Sequence, residues 1–516
     1  MHWTILRVDI VNQVPLEYPP DALAVRARDI AQSLGYRDRP LDSAFGWEYD
    51  EDYLGYARQH EDSSARWRLV KTNQPPAILF WYRESPRYLL AVVGEGVTRI
   101  DPPPFDPGML EVLLDTEGRL VGFDARPPSL IKEDGQAPAP DWDRWFAAAG
   151  LDITRFTPTQ PAWIPPAFAD ARMAWTGSYP SAPADSIRLE AAACQGRPVS
   201  FRIAGPWTRA APASSAPAFF RLPFLVFIVI LPIGASLLAW RNARLGRGDR
   251  RGAFRLACFA FPSLLVEHLL KNNHGPSIGE TLVLAVAISH ALLGVATFWV
   301  LYMAFEPYVR RRSPETLISW SRLLAGRLRD PLVGTDLLLG CVLGSAAAFL
   351  WALGPVAVPF GRVFEPPQLP AGAGLSLALW AWQLITAVVT GLSYVLLLNL
   401  LRLLARQRWL AALLFVAVVS PIFLPAYFTA FPILAVLTVL VFGLCAYVMT
   451  RLGVLSLIAL IFVDNVLRTF PLTTHLPAWY AKSAVLAMLS VLGLAVYAFH
   501  TTLAGRPLWR DELEER

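Results

Sequence analysis

Five ionisable residues lie inside or at the ends of long apolar runs in this sequence: Glu267, His268, His290, Asp464 and His500. A charged side chain in hydrocarbon is costly, so residues of this kind serve proton relays, substrate contacts or bonds between helices. Glu267 and His268 are adjacent and point about 100° apart on a helix, which places them poorly for one shared ligand. His-Glu-x-x-His is absent, as is the paired Glu-Glu of CAAX-type intramembrane proteases. No two cysteines have zinc-ligand spacing. Cys258, Cys341 and Cys445 sit in apolar runs as small hydrophobes, while Cys194 stands alone in a polar segment. No catalytic, metal or cofactor set is therefore expected. Helix-helix hydrogen bonding is the favoured role for Glu267 and Asp464.

The elements that carry these residues are membrane helices. Of 516 residues 54% are hydrophobic, and the mean hydropathy is +0.39. The net charge of +5 hides a split, because most of the 41 acidic residues precede residue 217 while the 46 basic ones divide almost evenly. The second segment is thus both basic and apolar, which suits a bilayer with anionic lipid on one side. Its arginines sit in short loops without a continuous basic face, so nucleic-acid binding is not expected. From Phe219 to Trp240 the run has one base, Arg221, and no acid. That is long enough for one crossing. Further spans are expected near 254–270, 281–305, 335–358, 374–401, 409–427, 431–450, 453–470 and 483–503, nine in all. The stretch 431–470 reads either as two short spans or as one span with a re-entrant piece.

Loop charge gives the orientation. The first loop carries Arg241, Arg244, Arg247, Arg250, Arg251 and Arg255; the third carries Arg310, Arg311, Arg312, Arg322, Arg327 and Arg329; the fifth carries Arg402, Arg406 and Arg408. Intervening loops hold Lys271, Arg362 or nothing. Positive-inside bias then puts the heavy loops and the tail 506–516 in the cytoplasm of an inner membrane, with residues 1–216 outside. In the third loop Leu317, Trp320, Leu324 and Leu328 recur at helical spacing, with Arg322, Arg327 and Arg329 largely elsewhere. Pro314 suits a first turn and Asp330-Pro331 a stop, so an amphipathic helix lying on the cytoplasmic leaflet is expected over Thr316–Leu328.

Residues 1–208 read as an α+β extracytoplasmic domain, followed by a Pro/Ala/Ser-rich linker at 209–218 and the helical domain at 219–505. Pro19-Pro20-Asp21 opens a helix running to Leu34. Leu110–Leu114 with Arg119–Phe123, and Ser186–Ala193 with Pro198–Ala204, read as hairpins, and Ala77–Tyr82 with Tyr88–Val93 as a further strand pair. A helix near Asp141–Ala149 ends at Gly150. Helix followed by hairpins occurs twice, the pattern of a duplicated α+β unit without detectable identity. Phe80, Trp81, Tyr82, Tyr88, Trp142, Trp145, Trp163 and Trp175 are expected in core packing before a ligand cleft.

Several strings resemble one known family. They are Val14-Pro15-Leu16-Glu17, the run Phe80–Arg87, Arg247–Leu256 (Arg-Gly-Asp-Arg-Arg-Gly-Ala-Phe-Arg-Leu), Glu306-Pro307-Tyr308-Val309-Arg310-Arg311-Arg312, Leu317–Arg327, and Phe470-Pro471-Leu472-Thr473-Thr474. Together they resemble the membrane-embedded C-terminal module of large bacterial serine/threonine protein kinases. The resemblance implies an extracytoplasmic domain and a multi-span region downstream of a kinase domain, and it carries no catalytic residues. The chain departs from the full pattern: it has no Gly-rich phosphate loop, no Val-Ala-Ile-Lys-like lysine, no His-Arg-Asp and no Asp-Phe-Gly, so it is not expected to transfer phosphate itself. Met1–Asp9 hold no signal peptide or span, whereas the loop charges require residues 1–216 to cross the membrane. A start placed after an upstream span and kinase domain is therefore expected, and a stop codon directly upstream of Met1 would oppose it.

The reading that follows is a non-enzymatic multi-pass sensor or regulatory module in a lipid bilayer, with a cytoplasmic kinase domain or other signalling partner. A transporter or channel is the alternative, although Pro421, Pro425 and Pro432 break one region where matched broken helices in two halves are the rule. An intramembrane hydrolase is the third reading. Gly391-Leu392-Ser393-Tyr394 has the Gly-x-Ser of rhomboid-like proteases but lacks the following Gly.

Overall fold

Pro20 fixes the first turn of a helix in which Leu23, Ala27, Ile30 and Ala31 recur on one buried face, giving α1 (Pro20–Ser33). In the computed structural model, residues 10–60, 69–91, 96–128, 138–208, 226–357, 369–370, 372–405, 407–423 and 432–504 are described. The linker 209–218, the tail 506–516, Met1–Asp9, Arg362, Arg406 and Pro425 lie outside them. Eight strands form the N-terminal sheet: β1 (Asp42–Tyr49), β2 (Ile78–Ser85), β3 (Leu110–Asp115), β4 (Leu120–Ala125), β5 (Thr157–Thr159), β6 (Ala171–Tyr179), β7 (Ala182–Cys194) and β8 (Arg197–Ala204). The two short helices among them are α2 (Glu51–His60) and α3 (Asp143–Ala149), the latter stopped by Gly150 in the left-handed region at φ 66°.

The sheet is antiparallel throughout and ordered β1-β2-β3-β4-β8-β7-β6-β5. Both expected hairpins form, β3 with β4 and β7 with β8. The order has an internal symmetry: α1 precedes a four-strand meander, α3 precedes another, and the two join edge to edge through β4 and β8. The twice-repeated helix-and-hairpin pattern is therefore present in the connectivity. Of the strand pair expected between Ala77–Tyr82 and Tyr88–Val93, the described part of the second strand, Tyr88–Ala91, forms no strand, and Val92 and Val93 lie outside the described residues. A strand has two edges, and those of β2 are taken by β1 and β3. Leu89, fully buried, instead packs with Trp81 and Met109 on one face of the sheet. On the other face, Phe80, Phe123, Trp145, Phe146, Trp175 and Phe201 form the main core with α1 and α3. Most of the flagged aromatics are thus packing residues; Trp163, with Arg202 over its ring, borders a cavity of about 200 Å³.

The second half is helical: α4 (Leu231–Arg244), α5 (Arg250–Lys271), α6 (Gly279–Arg312), α7 (Ile318–Leu324), α8 (Pro331–Ala357), α9 (Ala373–Leu404), α10 (Arg408–Phe423), α11 (Pro432–Arg451), α12 (Val454–Thr469) and α13 (Ala481–Thr502). Leaving α7 aside, nine helices occupy the nine apolar segments. Six of them are long and apolar enough to cross a membrane: α5, α6, α8, α9, α11 and α13. Leu282 and Leu293 on α6 and Leu489 and Leu492 on α13 are more than half exposed, apolar surface of the kind that faces lipid on such helices. The chain is a multi-pass membrane protein.

Nine full-length spans are not what the described residues show. α4 has 14 residues after a five-residue π turn, and α10 and α12 have 16 each. Sixteen residues reach ~24 Å, short of a hydrocarbon core of ~30 Å. α12 is also enclosed: apart from Asn465 and the last turn its residues are buried in the bundle, with α8 and α9 as its main neighbours. A helix apolar all round is a core helix. The stretch 431–470 resolves into two helices, α11 and α12, divided at Gly453. Its φ is +131°, and a Cβ there would stand 2.7 Å from the Thr316 carbonyl oxygen.

Candidate functional site

The arginine-rich loops gather at one end of the bundle. Arg255 donates Nη1 to the Leu324 carbonyl at 3.0 Å, Gly453 meets Thr316, and Gly334 at the start of α8 meets Ala498 and Thr502 at the end of α13. The α+β domain sits on the loops at the other end. Trp479 stacks on Trp47 with ring centroids 5.6 Å apart and an interplanar angle of 11°, and its Nε1 donates to the Leu16 carbonyl at 3.1 Å. Tyr480 and Leu369 join the core of that domain. In the loop between α5 and α6, Gly275 lies under the Tyr88 ring and Gly279 under Leu90, so close that a Cβ would stand 2.3 Å and 2.1 Å from them. His274 in this loop pairs with Glu280 at 2.7 Å. Hydrogen bonds to the Leu269 carbonyl and to Glu280 hold its pKa above the usual histidine range.

At the arginine-rich end a polar cluster ties α4, α5 and α6 together. Pro307 lies inside α6, and because it has no N–H the Met303 carbonyl four residues earlier loses its helical partner. Asn242, 2% exposed on α4, supplies the missing donor: its Nδ2 reaches the Met303 oxygen at 2.9 Å and the Ala304 oxygen at 3.4 Å. Asp249 caps α5 by accepting from the Gly252 N–H at 2.9 Å. Its own N–H donates to Glu306 at 3.2 Å, and Tyr302 donates to its other oxygen at 3.4 Å. Arg310 pairs with Glu306 at 2.5 Å, and Arg241 donates to the Tyr308 hydroxyl at 3.1 Å. Asn242→Leu is expected to lower stability by about 2 kcal/mol, the cost of a buried carbonyl without a donor. Adding Pro307→Ala, which restores the backbone N–H, is expected to recover most of that loss in unfolding titrations. Absence of recovery means that the carbonyl is not what Asn242 serves.

The helix expected over Thr316–Leu328 is shorter and lies elsewhere. A 3₁₀ turn at Pro314–Leu317 leads into α7, which ends at Leu324, before Gly326 turns the chain at φ +81°. Leu317 and Trp320 are 4% and 3% exposed within the bundle core, so the segment is inserted between helices and does not lie on the leaflet. Ser319 hydrogen-bonds Asp336. Arg322 donates to both oxygens of Asp330 at 2.8 Å. Burial opposes ionisation of Asp330, but the bonds from Arg322 and the Leu332 N–H win and hold its pKa below the usual range. Leu324 packs on the core, while Arg327 and Leu328 lie beyond the helix and are exposed.

The intramembrane residues fall in two places. Glu267 and His268 are 3% and 2% exposed on α5. The His268 ring meets His290 of α6 edge-on at 5.7 Å, and His290 meets Trp382 of α9 at 6.5 Å. Asp464 is separate, buried on α12, where Arg468 one turn on pairs with it at 3.3 Å and lies 5.6 Å from the Trp351 ring centre. His500 is exposed near the end of α13. Gly391, of the Gly-x-Ser string, is a packing site, with a Cβ there 2.7 Å from Ile458. No group of three or more metal-ligating side chains occurs among the described residues.

Asn242, Asp249, Glu306, Asp336 and Arg468 were not singled out by their sequence surroundings. Two signals were available: a proline inside an apolar helix, which requires an outside donor, and an arginine four residues after an intramembrane aspartate. No family model, curated protein or solved structure matches the chain.

Proposed function

We propose that this chain is a non-enzymatic sensor or regulatory module of a cytoplasmic membrane. Its α+β domain reads a ligand or an envelope state outside, and its helices carry the outcome to a partner at the arginine-rich, cytoplasmic end. The observation that carries the reading is the seat of the α+β domain on two loops. These loops, 272–278 and 470–480, join α5 to α6 and α12 to α13. A shift of the domain therefore acts directly on the ends of four helices, and two of them, α5 and α6, meet again in the cluster of Asp249, Tyr302 and Glu306. Packed helices with two arrangements are the physical means by which distant sites couple. The strings that resemble the kinase modules lie at both ends: Leu16 contacts Trp479 at the domain seat, and Arg247–Leu256 meets Glu306–Arg312 in the polar cluster. A serine/threonine kinase domain is the partner this resemblance suggests.

The test places a reporter cysteine at Arg247, with Cys258→Ser removing the exposed native thiol, and measures its labelling rate in membranes. Trp479→Ala, which removes the stack on Trp47, is expected to change that rate about fivefold, the low end of a typical coupling between sites. An unchanged rate with Trp479→Ala, in protein that still folds, overturns the reading.

A further inference from the structure

Between α5, α7, α8, α9, α12 and α13 lies a cavity of about 650 Å³. That is the size of a site for a small organic molecule. Its walls are almost wholly apolar and include Phe259, Trp320, Trp380 and Leu494. It is elongated along the helices: on α12 it runs from Leu455 to Phe462, a length of ~10 Å. Arg255 and Tyr497 close the end nearest the arginine-rich loops.

That end is positively charged. Arg255 is exposed at the rim, oriented by its bond to the Leu324 carbonyl. The Tyr497 hydroxyl holds the neighbouring loop through the Leu328 carbonyl, and this loop brings the exposed Arg327 and Arg329. Arg322 and Asp330 neutralise each other, which leaves Arg255 as the cation lining the mouth, with Arg327 and Arg329 on the adjoining loop. An apolar slot inside a membrane domain, capped by an arginine at its end, has the chemistry of one amphiphile: a long hydrocarbon chain bearing an anionic head.

We propose that the cavity binds the acyl chain of a single anionic phospholipid, whose phosphate is held by Arg255 at the mouth. The lipid fills the space beside α7 and α12, so it ties the arginine-rich end to the bundle core. The site depends on the membrane location of the chain and on nothing in the sensor reading, so the two fail independently.

The test is native mass spectrometry of the full chain in mild detergent with equal amounts of phosphatidylglycerol and phosphatidylcholine. One retained phosphatidylglycerol per chain is expected, in clear preference to phosphatidylcholine. Arg255→Gln removes the charge, together with the bond to the Leu324 carbonyl, and in protein with an unchanged melting temperature is expected to reduce that preference about fivefold, the effect of one arginine at an anionic headgroup. Leu494→Trp fills the slot and is expected to abolish retention in protein with an unchanged melting temperature. Equal retention of both lipids, or a preference that survives Arg255→Gln, overturns the proposal and leaves annular lipid only. Retention undiminished in folded Leu494→Trp overturns it equally.

Discussion

Arg468→Leu is expected to lower the stability of the bundle by about 3 kcal/mol, the low end of the cost of breaking a buried ion pair. Asp464 is 7% exposed on a helix that is itself enclosed, and Arg468 pairs with it at 3.3 Å. Removing the guanidinium leaves a largely buried carboxylate on α12 without its ion-pair partner. Coulombic attraction is strong in so apolar a place, but desolvation costs nearly as much, so the pair adds little net stability while either partner alone is costly. The double variant Asp464→Leu with Arg468→Leu is therefore expected to be more stable than Arg468→Leu alone. A double-mutant cycle from chemical unfolding measures this, with a coupling of about 2 kcal/mol expected. A loss below about 1 kcal/mol in Arg468→Leu would place the pair in the class of solvated surface bridges. The cycle also bears on function: if the double variant folds and still couples the two ends, Asp464 is a structural residue and not a step in transport.

Gly344→Leu is expected to cost about 3 kcal/mol or more, the upper range for overpacking, because backbone and not a side chain stands in the way. A Cβ on Gly344 would lie 2.5 Å from the Leu460 carbonyl oxygen and 2.9 Å from the Val463 Cβ. One turn earlier, a Cβ on Gly340 would lie 2.4 Å from the Ala459 Cβ. These two glycines let α8 approach α12 at backbone distance, and close approach is the main source of helix-helix attraction inside a bilayer. The measurement is the fraction of purified protein in the monodisperse peak of a gel-filtration profile, which should fall steeply. Gly344→Ala should fall less. A normal profile for Gly344→Leu shows that α8 and α12 sit further apart than this.

The same glycines show how unevenly the fold was written in the sequence. Gly340 and Gly344 form a small-xxx-small pair in plain view, yet hydropathy alone assigns their segment to a span without saying which helix it meets. The nine apolar segments were legible because each becomes a helix through local periodicity and hydrophobicity. Their status as spans was less so: α12 is apolar but, at 16 residues, falls short of a crossing. The amphipathic pattern at Leu317 and Trp320 was read correctly as one buried face. The wrong part was what buries it, since a leaflet and a bundle core attract the same side chains. In the α+β domain the hairpins followed from turn residues and alternation, whereas β1 was missed and Tyr88–Ala91 was misassigned, because a strand's partner depends on which edges remain free.

Sequence by itself determined the division into an acidic α+β segment and a basic apolar one, the positions of the helices, and the alternation of charged and bare loops. Each of these depends on side chains within a few turns of one another, where solvation and backbone preference act locally. Tertiary structure alone decided that Asn242 answers Pro307, that His268 meets His290, and that the sheet joins two meanders at β4 and β8. It also decided that Trp47 and Trp479 bind the two halves together. Those contacts join residues far apart along the chain, and their free energy exists only once folding has removed the water between them.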